Sequence, residues 1–297
     1  MPVTLYRHPD IFRHDLAANH VAMHRHRLGY IDSVMTRNKA LPTRLARVAT
    51  VEELLRNHTL PYLKQLANTR ELADGQLLAL NAETILNRHT WRTTVLSAGA
   101  VCQAVEDVQA GATRHAFCIG YAGHHAVASA GGGFCFTNQV AIGAHHALAQ
   151  GFKAVAILDF DTHSGNGTAL SFIAEPRVFF AETYQPGYPG DFLQRGFPVP
   201  PHIARRRCNN AQQFQQAWER LLQDVRAFCP DLVLVSAGFD AHVADPLGTL
   251  GITDAHYFWL AEEISQLGAP VIATLEGGYS LVDTARCAAL FATRLGQ

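Results

Sequence analysis

Five short apolar runs, Ala116–Gly120, Ala154–Leu158, Val178–Ala181, Leu232–Ser236 and Val271–Leu275, alternate with longer stretches of helical spacing from about residue 92 onward. Runs of this length without polar alternation suit strands buried on both faces. The intervening stretches carry helix signals. Trp91 to Gln109 has amphipathic spacing and stops before Gly111, Asn138 caps a helix through Gln150 with Gly151 as its stop, and further helices are predicted over 211–228 and 254–267. Strands joined by helices require right-handed crossovers, so the expectation is an α/β chain: a three-layer α/β/α arrangement with a mostly parallel central sheet and helices on both faces. The first 90 residues are expected to add helical cover and loops to the same unit, so 1–297 reads as a single domain. At 297 residues and 48% hydrophobic positions, the chain can bury a large core.

A formal net charge of −1 leaves no basic excess for phosphate neutralisation, which argues against nucleic-acid binding. The one dense basic run, Arg205-Arg206-Arg207, is expected to be a solvated loop. No apolar run is long enough to cross a bilayer and the N-terminus lacks a signal-peptide pattern, so a cytoplasmic location is expected. The six cysteines form no C-x-x-C pair and read as reduced, buried thiols.

Ligands of open parallel sheets bind beyond the carboxyl ends of the strands. Polar groups gather at four such ends here. They are Gly123-His124-His125-Ala126, Asp159-Phe160-Asp161-Thr162-His163, Gly238-Phe239-Asp240-Ala241-His242 and Glu276-Gly277-Gly278-Tyr279. Strand alternation puts Asp159 and Asp161 on one face and Phe160 on the other. Asp161, His163 and Asp240 offer two hard oxygens and an imidazole, a set of three that leaves a position open as catalytic zinc sites do. His124 and His125 suit acid and base roles, and Tyr279 suits hydrogen bonding to a developing oxyanion. The reaction implied is hydrolysis of an amide or ester.

Other polar groups read as structural. His145-His146 falls inside the predicted 138–150 helix, away from any glycine-rich turn. His242 is placed near the rim and not among the ligands. Cys135 has no cationic neighbour in sequence to lower its pKa and is expected to be packed.

On these ordered motifs, over roughly residues 80 to 285, the chain resembles zinc-dependent deacetylases of the histone deacetylase and acetylpolyamine amidohydrolase superfamily, nearest to bacterial members similar to the class II enzymes. The resemblance implies the arginase-deacetylase fold and one catalytic Zn²⁺ per chain, with a structural monovalent cation such as K⁺ as a further expectation. It implies that His124, His125 and Tyr279 are catalytic, that Asp161, His163 and Asp240 hold the metal, that Asp159 orients His124, and that Asn166 sits beside His125. It places Gly133, Phe134, Tyr188, Leu247 and Gly277 along a substrate tunnel. The partner implied is an acylated lysine or a small acyl amide, with no nucleic acid and no membrane.

The sequence departs from the family pattern in two places. Aligned on Arg27 and Ile31, His24 takes the position of an arginine near the inner end of the tunnel, and the loop between Phe180 and Tyr188 is short for a monovalent-cation site. Leu247 supplies no rim charge of the kind polyamine-preferring relatives present, which favours acyl-lysine. The rival substrates are acetylpolyamines and longer acyl amides. A non-catalytic acyl-lysine-binding module is a rival of another class, and a two-manganese ureohydrolase is disfavoured because 159–167 offers no further carboxylate for a second metal.

Overall fold

The structure is a computed structural model that describes residues 2–14, 16, 26–187 and 199–297. The predicted alternation is present. In chain order the strands are β1 (Val3–Arg7), β2 (Thr43–Leu45), β3 (Leu78–Ala79), β4 (Ile85–Leu86), β5 (His115–Cys118), β6 (Val155–Asp159), β7 (Val178–Tyr184), β8 (Ile203–Arg207), β9 (Leu232–Ala237) and β10 (Val271–Leu275). Eight of them form one sheet in the order β2-β1-β5-β10-β9-β6-β7-β8, with every neighbouring pair parallel. β3 and β4 make a separate antiparallel hairpin.

Alternating side chains of each central strand feed two cores. Val155 and Ile157 of β6, with Leu232 and Leu234 of β9, pack with Val101 and Val140 from the helices Thr90–Gln109 and Gln139–Gln150. Ala156 and Leu158, with Val233 and Val235, pack on the other face with Leu221, Tyr257 and Phe291 from the helices Ala211–Phe228, Asp254–Ser265 and Leu281–Leu295. Burial on both faces is why these strands are continuous apolar runs. The Asn138 side chain accepts from Ala141 N, and Gly151 closes the same helix in the left-handed region at φ 105°.

Four expectations are corrected. The first 90 residues contribute strands as well as helical cover, because β1 and β2 extend the sheet at its edge. The Arg205-Arg206-Arg207 run is the end of edge strand β8 and not a solvated loop. The Arg205 side chain is mostly covered, pairs with the fully buried Glu182 and donates to Ser164 Oγ at 2.6 Å, so its charge is met inside the protein. Cys229 is exposed, whereas the other five cysteines are buried. The stretch after Phe180 is strand through Tyr184, which leaves less loop there than the sequence suggests.

Candidate active site

β5, β10, β9 and β6 are consecutive in the sheet, so the four polar clusters predicted from sequence converge above its middle. β6 ends at Asp159, and Phe160 and Asp161 lie just past it, so strand alternation places Asp159 but not Asp161. The turn positions Asp161 instead. Its Oδ1 accepts from His163 N at 2.9 Å and its Oδ2 accepts from Gly277 N at 2.8 Å, while Asp240 Oδ1 accepts from Thr162 N at 2.9 Å. A Cβ on Gly277 would fall inside contact distance of both Asp161 and Asp240, so only glycine admits the carboxylates there.

Asp161, His163 and Asp240 bring one ligand atom each within 4.8 Å of one another. Both carboxylates are buried, and among the described residues no lysine or arginine pairs with them. Burial and the nearby Asp161 push Asp240 up to about 7. Burial would raise Asp161 as well, but His124 and His163 hold it well below the carboxylate range. His163 Nδ1 lies 3.2 Å from Asp161 Oδ1 and 3.0 Å from Asp240 Oδ2, and these two carboxylates lift its pKa to about 10 against the effect of burial. A proton on His163 is thus the counter-charge the chain supplies between them. A divalent cation would supply more and displace that proton, so this donor set fits a zinc ion.

Beside this cluster, His124 Nδ1 meets Asp159 Oδ2 at 3.0 Å and His125 Nδ1 meets Asn166 Oδ1 at 2.8 Å. Both partners accept, so both Nδ1 atoms carry protons and leave Nε2 as the working nitrogen. The environments split the pair. Burial disfavours charge on His124, yet Asp159 and Asp161 raise it well above 6.5; burial and then His124 hold His125 well below 6.5. Asp159, pushed up to about 8 by burial, is steadied by His124 in return.

Tyr279 faces the same cavity, and burial followed by Asp240 and Asp161 drives its hydroxyl well above 10, so it remains a donor. The cavity, about 190 Å³, is bordered by His124, His125, Gly133, Phe134, His163, Leu247, Gly277 and Tyr279. Phe134 stands at φ 67°, a conformation that costs a bulky residue energy and that aims its ring across from Tyr279 at 6.4 Å. Tyr188 and His24 lie outside the described residues. Cys135 is buried and its thiol is pushed well above 9 by burial, in keeping with a packed thiol. His242 contacts Asp254 Oδ1 at 3.0 Å and is not among the three ligands.

Four further residues stand at the site in roles that the sequence does not show. Glu276 Oε2 accepts from Gly123 N at 2.6 Å and His124 N at 3.2 Å, holding the histidine pair to β10. Asp245 accepts from Leu247 N at 3.0 Å through Oδ1 and from Tyr279 N at 2.6 Å through Oδ2, joining cavity mouth to tyrosine. Arg27 donates to Gly278 O at 2.6 Å and to Glu276 O, and its guanidinium lies 5.4 Å from the Tyr279 ring. An arginine therefore does stand behind the tyrosine, despite His24. Glu83 also borders the cavity. Glu276, Asp245 and Arg27 act across large sequence separations, where no local pattern marks the contact.

A histone deacetylase domain profile matches residues 20–295. The chain is 36% identical over 267 residues to "Histone deacetylase 14, chloroplastic" of Arabidopsis thaliana, covering 79% of this chain and 61% of that protein. It is 34% identical to the uncharacterized protein slr0245 of Synechocystis, covering 78% of each, and 33% identical to "Histone deacetylase 6" of Caenorhabditis elegans, covering 84% of this chain and 29% of that one. The crystal structure of the HDA15 HD domain superposes with a TM-score of 0.91 at 27% identity, covering 100% of this chain and 90% of that one. The chain thus spans about three fifths or less of two of these curated relatives.

Proposed function

The chain belongs to the histone deacetylase family, and from that premise we propose that it is a zinc-dependent deacylase that removes acetyl or other short acyl groups from the lysine side-chain amide, in proteins or small molecules. One observation supports this most: an imidazole pair with opposed pKa shifts borders the same cavity as Tyr279 and His163, the member of the three-donor cluster that faces it. Sites whose groups are pushed apart in this way divide acid from base work.

A zinc ion held by Asp161, His163 and Asp240 would lend Lewis acidity to the carbonyl oxygen and to water. His125, neutral at ordinary pH, takes the proton from the attacking water through Nε2. Its Nδ1–H stays on Asn166, which fixes the ring plane. The same nitrogen then returns the proton to the leaving amine. His124, charged against Asp159, keeps a positive field beside the developing oxyanion, and the Tyr279 hydroxyl donates to that oxygen. Phe134 and Leu247 bracket the apolar stem of the acyl-lysine at the mouth.

The test is an acyl-substrate panel run on metal-free protein reconstituted with zinc. Acetate release from acetyl-lysine is the expected result. Tight acyl-lysine binding without release would instead favour a binding module.

A further inference from the structure

The turn that carries Asp161 and His163 is anchored from the neighbouring strand. Glu182, fully buried on β7, accepts from Gly165 N at 2.7 Å through Oε2 and from Ser164 Oγ at 3.4 Å through Oε1. Register sets this contact up. Asp159 on β6 stands opposite Glu182 on β7, and Glu182 stands opposite Arg205 on β8, so the three lie in one row across the sheet. A Cβ on Gly165 would fall inside contact distance of Asp159 Oδ2, so only glycine lets the turn close down on that row. The anchored residues sit between His163 and Asn166, whose Oδ1 meets His125 Nδ1 at 2.8 Å.

Glu182 adds a fourth carboxylate to the buried Asp159, Asp161 and Asp240, and a buried carboxylate needs a counter-charge. Arg205 supplies it. Its Nε donates to Glu182 Oε1, its Nη2 donates to Ser164 Oγ at 2.6 Å, and its guanidinium lies 4.9 Å from the centre of the Tyr184 ring. Among the described residues it pairs with neither Asp161 nor Asp240. It therefore holds the turn without competing for the metal donors.

The monovalent cation expected in the stretch after Phe180 does not fit among the described residues there. Such an ion is held by carbonyl and hydroxyl oxygens. The oxygens at hand are already taken: Glu182 and Ser164 face the guanidinium, Tyr184 O accepts from Cys208 N at 2.8 Å, and Thr162 O accepts from Gln185 N at 2.8 Å. A second positive charge beside Arg205 would also be repelled.

We propose that Arg205 is a positioning residue of the active site: a built-in cation that holds the metal-bearing turn through Glu182 and Ser164 in place of a monovalent ion, so that zinc binding and turnover are indifferent to K⁺. This assignment rests on the metal cluster of the reading above and not on its substrate.

The test measures zinc affinity by competition with a chelator, and acetyl-lysine turnover, for the full chain in KCl and in tetramethylammonium chloride at equal ionic strength. The unaltered protein should give the same values in both salts. Arg205→Ala should weaken zinc binding about 10–100-fold, the range for residues that support metal ligands. K⁺ or dilute guanidinium, entering the space left, should recover part of that loss. Arg205→Gln keeps a donor for Glu182 without the charge and makes the same comparison with less loss of packing; if neither variant folds, the salt comparison on the unaltered protein decides alone. A several-fold loss of zinc affinity by the unaltered protein on leaving KCl overturns the proposal. So does a folded Arg205 variant that is less stable yet binds zinc as before, or one whose zinc loss neither cation relieves. An unaltered protein that binds zinc equally in both salts but turns over no acyl substrate overturns the deacylase reading and leaves the role of Arg205 standing.

Discussion

Two buried groups of imidazole and acidic side chains in this molecule look alike by composition and differ in how their charge is met. Glu53, Cys102 and His146 converge as closely as Asp161, His163 and Asp240 do. In the first, Arg47 binds Glu53 through both Nη atoms at 2.5 and 2.9 Å and also reaches Glu106 at 2.6 Å, while Arg56 meets His146 Nδ1. His146 Nε2 then contacts Glu106 at 3.2 Å. The chain neutralises that group with its own guanidinium groups. Around Asp161 and Asp240 none pairs among the described residues, and a cavity opens on His163. Burying charge without full compensation is expensive, and with histidine as the counter-charge the second group fits a cation from outside. A count of ligand types does not separate the two. The position of arginine does.

The largest effect expected from this contrast is at Tyr279. Removing one oxyanion donor typically lowers turnover by roughly 10²–10³-fold, so Tyr279→Phe should lose that much kcat on acetyl-lysine while keeping its zinc. Near-normal turnover would detach the tyrosine from the reaction. Next in size, Arg47→Met removes the counter-charge of the arginine-neutralised group and should destabilise the fold by about 2 kcal/mol, less than a fully buried pair because Arg47 is partly exposed. The denaturant midpoint reads this, and an unchanged midpoint would mean that Glu53 does not depend on its arginine.

A smaller effect is expected at Asn166. A carboxylate beside His125 Nδ1 favours the imidazolium, and the base must be neutral to act. Asn166→Asp should therefore raise the pKa of His125 and move the acid limb of the kcat/KM profile up by about one pH unit or more. A limb that stays in place or moves down would exclude His125 as the titrating base.

How much of this was legible in the sequence follows the range of the interactions. The central strands and their helices announce themselves through local apolar periodicity, and the site residues stand within a few positions of strand ends. β1 and β2 are short and lie among helical segments, and β8 is masked by arginines because its partner, Glu182, lies 23 residues away. Glu276 and Arg27 stand in segments the sequence marks, but the contacts they and Asp245 make are hidden for the same reason. The Glu276 bond to His124 spans 152 residues and the Asp245 bond to Tyr279 spans 34. The tandem histidines at 145–146 resembled those at 124–125 in type alone, and the structure gives them different surroundings: His145 lies over Phe172 at 4.7 Å, and His146 sits among arginines and glutamates.

The central claim is that only the group without arginines takes a divalent ion. Metal content per chain after zinc reconstitution and removal of excess, measured for the unaltered protein, Asp240→Asn and His146→Gln, tests it directly. The account predicts one zinc per chain in the unaltered protein and in His146→Gln, and a loss of most of it in Asp240→Asn. Zinc retained by Asp240→Asn, or lost from a folded His146→Gln, would contradict it.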